Sequence, residues 1–267
     1  MKNIVFSTTR QWNPGDEIIL SGIINLLHEI IGDFNPIIFN RNPDVRGELG
    51  NVFYKRAYME DLLRDNIKTA MFDNSIKPWM SYSFVDYIIF AGSPEWQTER
   101  CRELYSKAIE YGIPVFFIGL DTCYVGKNRM IDAVLKKAAF ISVRNQDIIR
   151  SFPDWSNVHC LTCPSILSSI YEKRIKEVHT IGLIYRASEN EVTCNNGWDE
   201  ERYRAQMELY SDVIKITKCH VLIICHYIDE IYCAMRDFPD KDVRYSYNSY
   251  DYFQIYGECD LEIGRAS

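Results

Sequence analysis

No stretch of this sequence approaches the roughly 18 to 20 consecutive apolar residues that span a bilayer. Its first ten residues, Met1 to Arg10, turn polar too soon for a secretory leader. There is no excess of positive charge: the formal net charge is −7, and a basic face able to displace counterions from a phosphate backbone is missing. Nucleic acid is therefore not an expected partner. The nine cysteines are odd in number and scattered, unlike the paired framework of a small secreted fold. One CxxC occurs, Cys160 and Cys163, without the second pair or the nearby histidines that a zinc site requires. Pro164 follows it in extended surroundings, whereas a redox CxxC opens a helix. No metal is expected, and neither a repeat nor a low-complexity segment is visible. These absences together point to a cytoplasmic protein with no transmembrane segment.

What is present is a long, aromatic-rich chain. Its 267 residues are 47% hydrophobic and 25% charged, with 18 Tyr, 13 Phe and 5 Trp, enough to bury one large or two modest cores. Short apolar runs alternate with helical patterns: strands over 3–7, 37–39, 87–92, 114–119 and 140–143, with helices over 16–31, 97–111 and 128–138. Between them, 41–82 is irregular, with a short helix expected around 58–65. The pattern restarts with strands at 179–186, 220–225, 243–246 and 261–263, and helices at 199–218, 228–237 and 249–257. These runs are apolar without alternation, as when helices cover both faces of a parallel sheet. The fold class that follows is α/β, with two Rossmann-like domains of mostly parallel strands. The charged link Glu172 to Glu177 divides them into an N-terminal domain, 1–172, and a smaller C-terminal one, 178–267. The second domain reads as incomplete, so it is expected to pair with a second copy, lean on the first domain or be partly mobile.

In open α/β sheets, ligands bind at the carboxyl ends of the strands. Asn13-Pro14-Gly15-Asp16 follows the first strand and opens a helix whose free N–H groups suit an anion; a well-capped helix with no ligand explains the same residues. Gly92, Ser93 and Glu95 follow another strand: Ser93 as a donor to substrate, Glu95 as a base for a hydroxyl or as a helix cap. Trp96 is either a sugar-stacking face or a core anchor. Arg144 and Arg186 stand just past strands in the two domains, where each is an anion fork or an ordinary ion pair, with Asp147 near Arg144. Asp121 is a base or a cap in the same way. Of the five histidines only His226 follows a strand at the carboxyl edge, and its simpler role is a structural hydrogen bond.

Taken in order, Asn13-Pro14-Gly15-Asp16 with Ile19 and Gly22, Asp86 to Gly92, Ile113 to Gly119, Ile141 to Asn145, and Asp260 to Gly264 resemble the motifs of the polysaccharide pyruvyl transferase family. The resemblance covers nearly the whole chain and implies a fold like that of two-domain glycosyltransferases of the B type. It further implies transfer of the enolpyruvyl part of phosphoenolpyruvate to a sugar hydroxyl, making a ketal and releasing phosphate. Phosphoenolpyruvate is then a co-substrate; no separate cofactor is implied, and the partners are this small anion and a sugar acceptor. Such an anion calls for Arg forks and helix N-termini, and protonation of its methylene carbon calls for an acid.

The departure from the family lies at Gly264-Arg265-Ala266-Ser267. Family members carry an Arg and then a His soon after this Gly. Here Arg265 is one position off and no His follows, leaving His226 as the substitute acid. Three readings stay open: a pyruvyl transferase-like enzyme, an inactive anion- or metabolite-binding or regulatory protein on the same fold, and a nucleotide-sugar glycosyltransferase that would use Asp229 and Glu230.

Overall fold

The computed structural model describes residues 1–8, 14–40, 82–92, 94–97, 101–126, 128–169, 173–187, 200–227, 230–246 and 251–264. These fall into two compact units, one reaching Ser169 and the other running on from Lys173. The short helix expected around 58–65 lies outside the described residues.

In the first unit, strands β1 (Lys2–Thr8), β2 (Phe34–Asn40), β3 (Tyr87–Ala91), β4 (Val115–Leu120), β5 (Phe140–Val143) and β6 (Val158–Cys160) form one sheet in the order β2-β1-β3-β4-β5-β6. Every pairing is parallel. Helix α1 (Pro14–Ile31) covers one face, setting Ile19, Leu20 and Ile23 against Ile4, Phe6 and Ile89. Helices α2 (Arg102–Tyr111) and α3 (Arg129–Lys137) cover the other, where Phe90 stacks between Tyr105 and Phe117 at 4.9 and 4.7 Å. Asn128 caps α3 by accepting from the N–H groups of Met130 and Ile131, and α3 ends on Lys136 and Lys137, both favourable against the helix dipole. The single-turn α4 (Gln146–Ile149) leads towards β6.

The second unit repeats the plan on a smaller scale. Strands β7 (Thr180–Tyr185), β8 (His220–Cys225), β9 (Asp242–Arg244) and β10 (Leu261–Ile263) make an all-parallel sheet in the order β10-β7-β8-β9. Helices α5 (Glu200–Ile216) and α6 (Glu230–Asp237) pack Tyr210, Cys233 and Ala234 on the face of Ile181, Leu183, Val221 and Ile223. Helix α7 (Tyr252–Glu258) packs Tyr252 and Ile255 on the face of Leu222 and Ile224. The expected α/β class with two Rossmann-like parallel sheets is what the strands form.

One device recurs. Asp86, just before β3, accepts from the Asn3 N–H at 2.8 Å and pairs with Lys2 at 2.9 Å. Asp260, just before β10, accepts from the N–H groups of His179 and Thr180 at 2.8 and 3.0 Å and pairs with Lys173 at 2.9 Å. In each unit a carboxylate thus starts the strand that lies across the reversal of strand order, β1/β3 in the first and β7/β10 in the second. The two reversals mark the crevices where such sheets take ligands.

Candidate functional site

At the first reversal the carboxyl tips of β1 and β3 are neighbours. Gly15 and Asp16 lie in the first turn of α1, and Gly92 directly follows β3, so three of the sequence candidates meet here. Asn13 and Ser93 lie outside the described residues. Glu95 falls in the short 3-10 helix Pro94–Gln97, and its side chain is likewise outside them. Asp16 and its neighbour Glu17 are 7% and 2% exposed, so two acidic side chains are buried at this helix start. Acidic groups there match the positive end of the helix dipole and reduce its appetite for an added anion. Beside them the buried hydroxyls of Ser7 and Thr8 have no hydrogen-bond partner among the described residues.

Gly92 has φ +53°, and a Cβ there would stand 3.0 Å from the Ile19 side chain. Packing of α1 over the strand tip is thus sufficient reason for the glycine. Gly119 does not end β4, contrary to the strand boundary read from sequence. It sits where the β4–β5 register shifts, and its N–H donates to Ser142 Oγ at 2.9 Å. Trp96 is fully buried, stacked on Phe152 at 6.1 Å; it is a core anchor and presents no face to a sugar.

Arg144 follows β5, and its guanidinium pairs with Asp121, which follows the neighbouring β4. Its other terminal nitrogen donates to Cys163 Sγ at 3.8 Å. The partner is Asp121 and not Asp147, which pairs with Arg150 at 3.0 Å. Two residues singled out separately in the sequence are therefore one charge pair at the strand tips. Cys160 packs with the α2/α3 face of the sheet and Cys163 with the α1 face, and both are free thiols.

In the second unit Arg186 stands at the tip of β7, 8% exposed, and its carbonyl accepts from the Gln206 side-chain amide at 2.9 Å. Gly264 directly follows the neighbouring β10 and lies so close to β7 that a Cβ on it would stand 2.6 Å from that of Ile184. Arg265 lies outside the described residues. His226 follows β8; its Nε2 is 2.7 Å from the Tyr256 hydroxyl, and its ring meets Tyr252 edge-on. Burial pushes its pKa down to about 4, so at neutral pH the ring is uncharged and is not a ready proton donor. Glu230, 1% exposed, accepts from the N–H groups of His226 and Tyr227 at 2.8 and 3.0 Å. Both bonds go to the same carboxylate oxygen, Oε2, so Glu230 holds the chain just past β8; Asp229 lies outside the described residues.

The profile of the polysaccharide pyruvyl transferase family matches residues 13–264, from the residue before α1 to the one after β10. The chain belongs to that family. No curated protein matches it significantly. Among solved structures, MurG of Acinetobacter baumannii aligns with 98% of this chain and 72% of its own, at 14% identity and a TM-score of 0.39. The UDP-GlcNAc 2-epimerase of Methanocaldococcus jannaschii aligns with 99% and 74% at 12% identity and 0.43. The apo form of the lipopolysaccharide outer core galactosyltransferase WaaB aligns with 97% and 71% at 12% identity and 0.39. Among the described residues of this pyruvyl transferase family member, no helix is long and apolar enough to cross a membrane.

Sequence reasoning missed Gln206, Tyr210 and Tyr256. Gln206 and Tyr210 had a visible signal, a polar pair four positions apart on a helix. Tyr256 had none, because its role depends on a loop that follows a different strand.

Proposed function

We propose that this protein binds phosphoenolpyruvate at the carboxyl tips of its second sheet and transfers the pyruvyl group to a sugar hydroxyl, in the cytoplasm where the donor is made. Family membership supports the reaction class. The observation that carries the donor is the nearly complete burial of Arg186 at the β7/β10 reversal. A guanidinium keeps its charge at any working pH, and its planar fork matches a carboxylate or phosphate in two-point contact. Arg144, which pairs with Asp121 at the strand tips of the first unit, is the second candidate for the same task.

The test is titration of the full chain with phosphoenolpyruvate in a calorimeter, then assay of phosphate release with nucleotide- and lipid-linked sugars. Arg186→Ala should weaken binding at least tenfold while Arg144→Ala changes it less. Absence of binding to the unaltered chain at millimolar donor overturns the proposal. One observation favours a second reading, a binder without transfer: the neutral His226 is hydrogen-bonded to Tyr256 rather than poised as an acid. Donor binding with no phosphate released to any acceptor would select it.

A further inference from the structure

Helix α5 does more than cover a face of the second sheet. Gln206 and Tyr210 are one helical turn apart, on the same side, and both reach the carboxyl tip of the sheet. The Gln206 amide donates to the Arg186 carbonyl at 2.9 Å. The Tyr210 hydroxyl donates to the Ile184 carbonyl at 2.5 Å, and the Ile263 carbonyl of β10 lies 3.4 Å from the same oxygen. A phenol has a single proton, so the bond to Ile184 is the principal one and Ile263 is the second acceptor. The hydroxyl therefore bridges the penultimate carbonyl of β7 and the last carbonyl of β10 at the point where strand order reverses.

Apolar burial does not require that hydroxyl. Tyr210 is 2% exposed, and its ring packs 6.4 Å from that of Phe238, a role phenylalanine would fill equally. Burial, with the Glu230 carboxylate nearby, pushes the Tyr210 pKa up, so the hydroxyl remains a donor throughout the working range. The strand tips it joins are those that lead directly to Arg186 and Gly264.

We infer that Gln206 and Tyr210 are positioning residues for anion recognition. By holding the carbonyls of Ile184, Arg186 and Ile263, they set the height and direction at which the Arg186 guanidinium meets a carboxylate- and phosphate-bearing substrate. The inference rests on the reading that Arg186 binds phosphoenolpyruvate.

The experiment compares the full-length unaltered chain with Tyr210→Phe and Gln206→Leu by calorimetry with phosphoenolpyruvate and by amide hydrogen exchange. Tyr210→Phe keeps the ring in the core; it should weaken binding about tenfold and speed exchange in peptides covering 181–187 and 261–264. Protection elsewhere in the second unit should stay as in the unaltered chain. Gln206→Leu should lose several-fold in affinity, and as a partly exposed site it serves the same comparison if Tyr210→Phe folds poorly. Affinity within twofold of the unaltered chain in both variants overturns the inference. So does exchange raised evenly across the unit, which marks ordinary packing. If the unaltered chain binds no phosphoenolpyruvate, the proposed function falls, and unchanged protection at the two tips in Tyr210→Phe overturns the tie by itself.

Discussion

Arg144 and Asp121 stand at the ends of adjacent strands, with side chains 12% and 34% exposed. Removing one partner of such a pair leaves the other charge poorly solvated, so Asp121→Asn should cost about 1–3 kcal/mol, read from urea unfolding. Restoring the carboxylate from the other side, in Asp121→Arg with Arg144→Asp, should recover part of that loss. An unchanged midpoint in the single variant would show that the pair contributes nothing. At this scale the positions of Arg144 and Arg186 were legible, because a residue just past an apolar run in a parallel sheet must lie at the carboxyl edge. Their partners were not. The pairing of Arg144 with Asp121 instead of Asp147 depends on β4 lying beside β5, and the sequence spacing favours the wrong acid. His226 and Tyr256, 30 positions apart, meet only because α7 packs beneath the tip of β8.

Strand starts, more than strand interiors, carry the electrostatics of the two sheets. Asp260 accepts two backbone N–H groups and an ammonium, and these bonds, led by that of Lys173, hold its pKa down at about 2. A carboxyl depressed in the fold contributes stability that is complete above its unfolded value, about 3.9, and that disappears as pH falls through its folded value. Asp260→Asn should therefore be less stable than the unaltered chain at pH 7. The gap should narrow between about pH 4 and pH 2; thermal melts across that range check it, and a constant gap would refute it. Elements of this kind were well legible where length and burial agreed: β1, β3, β4, β5, β7 and β8 all fall on continuous apolar runs. The three-residue β6 was not, since Val158–Cys160 is a strand only through its pairing with β5. Helix α2 begins at Arg102 rather than near 97, because Pro94–Gln97 forms a separate turn that seats Trp96 in the core.

For the molecule as a whole, both cores place cysteine among the apolar residues. Cys101, Cys225, Cys233 and Cys259 are buried free thiols, and Cys123 is exposed. Among the cysteines of the described residues, a thiol reagent should label Cys123 first and reach those four only after denaturant is added, with mass spectrometry assigning each site. Rapid labelling of Cys225 or Cys259 in the native protein would contradict the packing of the second sheet. The two-sheet plan was legible from the restart of the strand and helix pattern after the charged link. Which strands would be neighbours was not, because order within a parallel sheet is decided by crossovers and not by local pattern.

The parallel ladders also bear on how the chain reaches this state. Among the described strands none is joined to its neighbour by a hairpin. The carboxylate clasps that start β3 and β10 bring together groups 83 and 80 residues apart. Each ladder must close a long loop before its contacts repay the lost entropy, a topology that makes for high contact order and slow refolding. Until β10 docks on β7, the strand that leads to Arg186 has no partner on that side, so this edge of the second sheet is completed only by residues 261–263.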